Sequence, residues 1–151
     1  MIGFGRPGSA SPAVGGRRYD YTELRLGWAG GMWSANLFVT VSKAWFGTYA
    51  DARGTHYAEL NLSPSWEGGW SALLHAGMGR VADHPEANWR DLKLGITRAL
   101  DGGWSLQLAW TRAWDKQDYW SSADYRRDPL GSNPVKPLGK GQAALTLVKS
   151  F

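Results

Sequence analysis

The sequence predicts an all-β chain folded as an antiparallel up-and-down meander, and three observations carry that prediction. Apolar and polar residues alternate through seven short segments, the period of a strand whose successive side chains point to opposite faces. Three turn signals share one form: Ala29-Gly30-Gly31-Met32-Trp33, Glu67-Gly68-Gly69-Trp70 and Asp101-Gly102-Gly103-Trp104. The 10 Trp and 20 Gly among 151 residues suit aromatic-rich strands punctuated by glycine turns, and no segment sustains a helical period.

Residues 1–20 are rich in Gly and Pro and are expected to be irregular, with Met1–Arg6 able to add at most a short strand. They lack the apolar stretch of a signal peptide. From residue 21 onward the chain reads as one unit. Gly-Gly tolerates the positive φ values of tight turns, so hairpins are expected over 22–42, 57–79 and 90–112, with a last strand over 141–151. The intervals 43–56, 80–89 and 113–140 are longer and more polar. Tight turns therefore alternate with long connections.

One parity is apolar: Leu24, Leu26 and Trp28; Trp33 to Val41; Ala58 to Trp66; Trp70 to Met78; Leu92, Leu94 and Ile96; Trp104 to Trp110; Ala143, Leu145 and Leu147. The other carries Glu23, Arg25, Asn36, Glu59, Asn61, His75, Asp91, Lys93, Thr97, Gln107 and Thr146, broken only by Phe38, Leu73, Ala109, Ala144 and Val148. A soluble barrel or sandwich turns its apolar face inward, whereas a membrane barrel turns it to lipid. Small polar residues dominate the polar parity, which suits a confined interior better than a water-facing surface. Trp28, Trp33, Trp66, Trp70 and Trp104 flank the tight turns on the apolar parity, as an aromatic girdle at the headgroup level would. Trp110 is expected in the second girdle, with Trp45 and Trp89 near it. Short turns on one side and long loops on the other match the two ends of an outer-membrane barrel. Such barrels end on a strand whose final residue is Phe, the end read by the barrel-assembly machinery, and Phe151 closes this chain. Lys149 breaks the final parity, where its amine can snorkel to the membrane edge. The expected fold is thus a transmembrane β-barrel, or part of one, over residues 21–151 in the bacterial outer membrane, contacting its lipid and lipopolysaccharide.

Tyr21-Thr22-Glu23-Leu24, Trp45-Phe46-Gly47-Thr48, Tyr57-Ala58-Glu59-Leu60-Asn61, Leu74-His75-Ala76-Gly77 and Trp89-Arg90-Asp91-Leu92-Lys93-Leu94-Gly95 resemble the bacterial TorF-type porins, over roughly residues 19 to 114 and the last strand. The resemblance implies an outer-membrane location and a pore, with no catalytic residue and no particular substrate. It also implies missing strands, since members of that family begin with a signal peptide and further strands. Topology gives the same expectation. With the Gly-Gly turns on the periplasmic side, the first strand enters from outside, whereas a barrel contains an even number of strands and starts from the periplasm. An N-terminally truncated product or a late start codon is expected, from a full barrel of about 10–12 strands.

The expected lumen residues are Glu23, Arg25, Glu59, Asn61, His75, Asp91 and Lys93, of mixed sign. They would either tune passage of ions and small polar solutes or brace the wall as structural pairs. Lipid-acting barrel enzymes exist, and His75 with Ser71 or Ser105 and Glu59 or Asp91 offers the residue types of a triad. Ser71 lies ~13 Å from His75 along one strand, however, and His75-Ala76-Gly77 lacks the serine of a His-x-Ser motif, so no enzyme is expected. Neither is a metal or cofactor: Cys is absent, and His56 and His84 show no ligand spacing. A net charge of +4, whose longest basic runs are Arg17-Arg18 and Arg126-Arg127, does not suit nucleic acid. The 114–140 connection interleaves Trp114, Tyr119, Trp120 and Tyr125 with charges. Such a loop either binds a sugar, lipopolysaccharide or phage, or folds over the mouth. The alternative to a membrane barrel is a soluble β-barrel binding an apolar ligand, with Leu60, Leu94 and Leu108 turned inward.

Overall fold

The computed structural model describes residues 21–43, 51–115 and 139–151. Its strands are β1 (Glu23–Gly30), β2 (Trp33–Thr40), β3 (His56–Leu62), β4 (Ser65–Trp66), β5 (Trp70–Arg80), β6 (Trp89–Leu100), β7 (Trp104–Asp115) and β8 (Gln142–Lys149). They form one antiparallel sheet in the order β1-β2-β3-β5-β6-β7-β8, with the two-residue β4 pairing β5. Sequence neighbours are therefore spatial neighbours, the meander expected from alternation and tight turns. The seven long strands are the seven alternating segments; β4 was not expected. Among the described residues β1 and β8 each pair on one side only. No described helix is long and apolar enough to cross a membrane, which leaves crossing by strands open.

The turn between β6 and β7 shows why glycine is needed in pairs. Gly102 and Gly103 have φ of 69° and 77°, which a Cβ disfavours. A Cβ on Gly103 would also stand 2.6 Å from the Ser150 carbonyl oxygen. That close approach is the end of β8: Lys149 pairs Trp104, and Ser150 N–H donates to Gly103 O at 2.9 Å. The pairing stops at Lys149, short of the expected end at Phe151, because β7 begins at Trp104. At its other end β7 runs to Asp115, beyond the expected limit at 112.

Register carries the parity across the sheet. Leu62, Leu74, Leu94, Trp110 and Ala143 form one row over β3, β5, β6, β7 and β8. This parity is uncovered: Leu60 is 47%, Leu94 41% and Leu108 52% exposed. Glu59, His75, Asp91 and Gln107, on the other parity, are half-buried. The polar face is thus less exposed than the apolar one across β3, β5, β6 and β7. The inward placement of Leu60, Leu94 and Leu108 that a soluble barrel requires is contradicted.

The buried apolar residues among those described are Ala52, Val81 and Ala87, with Tyr21 and Trp89 packed against them. They sit where two long connections dock at one end of the sheet. Thr40 N–H donates to Thr55 O at 2.8 Å, and Ala82 N–H to Thr55 Oγ1 at 3.1 Å. So small a cluster cannot supply the burial that normally stabilises a domain of this length. The large apolar area lies on the exposed parity of the sheet.

Candidate functional site

The polar parity assembles a hydrogen-bonded chain across β1, β2, β3, β5 and β6. Arg25 donates from Nε and Nη2 to Asn36 Oδ1 at 3.0 and 2.7 Å. Asn36 Nδ2 donates to Glu59 Oε1 at 2.7 Å, and Asn61 Nδ2 reaches the same oxygen at 3.4 Å. That donation turns Asn61 Oδ1 toward His75 Nδ1, 2.7 Å away. His75 Nε2 lies 2.7 Å from Asp91 Oδ1. Both ring nitrogens thus lie against side-chain oxygens, Asn61 Oδ1 on one side and Asp91 Oδ1 on the other. The Tyr57 hydroxyl donates to both Asp91 oxygens at 3.1 Å and lies 3.1 Å from His75 Nε2.

Register explains the assembly. Gly27, Asn36, Glu59, Gly77 and Asp91 occupy one row, and Ser34, Asn61, His75, Lys93 and Thr111 the next. Tyr57 reaches Asp91 because Gly77 lies between them: a Cβ there would collide with the Tyr57 hydroxyl. One row further on, Trp89 lies over Gly79 and stacks on Tyr57, with centroids 5.8 Å apart and planes at 11°. Gly79→Ala drives a Cβ into the Trp89 ring. Overpacking of this kind costs about 1–3 kcal/mol, expected as a lower urea midpoint at unchanged slope. The loss should shrink in G79A/W89A, because truncating Trp89 removes the clash.

Six of the seven expected lumen residues engage one another or a polar-face neighbour. Arg25, Glu59, Asn61, His75 and Asp91 join the chain, and Glu23 accepts from Thr40 Oγ1 at 3.3 Å. Lys93 shares the His75 row but lies outside the chain. Ser71 and Ser105 are not among the partners of His75; Asn61, Tyr57 and Asp91 are. Sequence reading passed over Asn36, Tyr57 and Trp89 as site residues. Only the polar parity of Tyr57 together with the glycines of β5 could have signalled them.

On the apolar parity, Trp28, Trp33, Trp66, Trp70 and Trp104 stand exposed at the tight-turn end. Trp110 lies in the middle of β7, over Gly141; Trp114 takes the far end of the strand instead. Trp89 faces the polar side, and Trp45 falls outside the described residues, as do residues 1–20 and most of the 114–140 connection. Arg98 lies over the Trp70 ring at 5.0 Å, and Lys149 over Trp104 at 5.2 Å and Phe151 at 5.7 Å. Lys149 also donates to the Gly102 carbonyl. Phe151 is fully exposed beyond β8.

The chain is therefore an all-β meander protein with a knitted polar face and an uncovered apolar one. It belongs to the family described as bacterial protein of unknown function (Gcw_chp), whose model matches residues 2–151. No curated protein matches it, and neither does any solved structure.

Proposed function

We propose that this protein is a bacterial outer-membrane β-barrel of porin type, passing ions or small polar solutes without chemistry along its polar face. The observation that carries the reading is the inverted burial. Leucines and tryptophans stand exposed on one face of the sheet, while Glu59, His75 and Asp91 are half-buried on the other. In water that arrangement leaves a continuous apolar surface; in lipid it is the expected wall of a barrel. The segments resembling TorF-type porins support the same reading. In hydrocarbon an unpaired strand edge leaves its backbone groups unsatisfied, so the edges of β1 and β8 must be paired there. The terminal Phe151 would be read by the barrel-assembly machinery.

A closed, purely structural barrel is the second reading, favoured by the chain of bonds from Arg25 to Asp91 that braces the polar face. The full chain, refolded into phosphatidylcholine vesicles, is expected to show heat-modifiable migration on SDS gels and ion conductance in planar bilayers. Heat-modifiable protein without conductance would leave the structural reading. Monodisperse protein in detergent-free buffer would remove the membrane altogether.

A further inference from the structure

Three arginines interrupt the apolar parity at the long-connection end, and they lie together. Met78, Arg90 and Trp114 share one row across β5, β6 and β7. Arg80 is two residues past Met78, and Arg112 two residues before Trp114. The three arginines thus follow a diagonal over three adjacent strands, with diagonal neighbours about 7–8 Å apart at the backbone. All three are exposed. Among the described residues none of them forms an ion pair with a carboxylate; the ion pairs found there involve His75 and His84. Arg112 rests on the Trp114 ring at 5.0 Å. A cavity of about 400 Å³ opens here, walled by Met78, Arg80, Pro85, Arg90 and Trp114. Asp115 also lines it, from the polar parity. Level with Arg112 and below it, the same face continues as Leu92, Leu94 and Ile96.

We infer that Arg80, Arg90 and Arg112 form a site for the phosphorylated sugar headgroup of an outer-leaflet glycolipid. The inference rests on the membrane-barrel reading above. Guanidinium groups recognise phosphate through paired N–H donors. A row of them with no carboxylate ion-pair partner among the described residues attracts anionic lipid at the membrane surface. The position selects a lipid over a soluble phosphate: the charges border a strip of leucine and isoleucine along which acyl chains can lie. Arg98, paired with Trp70, and Lys149, paired with Trp104, lie at the opposite, tight-turn end of the sheet.

The test is binding of diphosphorylated lipid A to the full chain refolded in phosphatidylcholine vesicles, with insertion read separately by heat-modifiable migration. The triple substitution R80Q/R90Q/R112Q is expected to insert normally and bind about 100-fold more weakly, from about fivefold per basic side chain. R98Q should bind like the parent. Dephosphorylated glycolipid and free inorganic phosphate should both bind far more weakly than lipid A. Should the triple variant fail to insert, R90Q alone is expected to lose about fivefold. Unchanged binding by inserted arginine variants, or equal binding of the dephosphorylated lipid, overturns the site and leaves the barrel standing. Equal competition by inorganic phosphate overturns the lipid as its source. A parent chain that does not insert overturns the barrel reading and this site with it.

Discussion

Leu94→Arg is expected to lower the stability of the protein in phospholipid vesicles by about 2–4 kcal/mol, the cost of a cation near the bilayer midplane on the lipid face of a barrel. Leu94 lies within β6 on the uncovered parity, flanked in its row by Leu74 and Trp110. The same substitution at Leu100, beside Trp104 at the tight-turn end, should cost about 0–1 kcal/mol, since the penalty falls toward the interface. The contrast between the positions is the informative quantity. On a water-facing surface both leucines are exposed alike, and a substitution there changes stability by about 0.5 kcal/mol or less. Urea midpoints for both variants in vesicles decide the matter. Small, equal effects would mean that lipid does not cover this face.

Parity and turns were legible in the sequence because both are local. A strand shows its two faces through the identity of alternate residues, and a Gly-Gly turn needs only its own backbone. Seven long strands, their antiparallel order and the composition of each face follow from those signals. Register is not local: it depends on how far each hairpin slides before its turn closes. For that reason the membership of the polar face was readable, but not that Asn61 turns its carbonyl oxygen to His75 or that Tyr57 reaches Asp91 across Gly77. The misplacement of Trp110 has the same origin. With β7 ending at 112, Trp110 would be terminal; paired to Asp115, the strand makes it central and leaves Trp114 at the border. The arginine diagonal was hidden likewise, since Arg80, Arg90 and Arg112 are far apart in sequence and meet only once Met78, Arg90 and Trp114 share a row.

The two readings of the polar face make opposite demands on Asp91 and Lys93. Asp91 accepts from Tyr57 and faces His75, with the His75 and Asp91 side chains 16% and 24% exposed. Asp91→Ala removes the acceptor of the Tyr57 hydroxyl and the oxygen that faces His75 Nε2, and water has limited access to replace it. A lost hydrogen bond to a charged group is worth about 1.5–3 kcal/mol, and a loss in that range is expected in the vesicle urea midpoint. Asp91→Asn keeps an acceptor oxygen and should recover part of it. Lys93 sits opposite His75 and Thr111 but holds no member of the chain in place, so Lys93→Gln should move stability by about 0.5 kcal/mol or less. An open lumen adds a second consequence. Removing a fixed positive charge from its wall makes the interior more favourable to cations, so the reversal potential of K93Q in a salt gradient should shift toward cation preference. D91A should shift it the other way. A closed, braced barrel shows the stability loss of D91A with no conductance to shift. Reversal potentials that stay with the parent in both variants, from a channel that conducts, would place the conducting path away from this face.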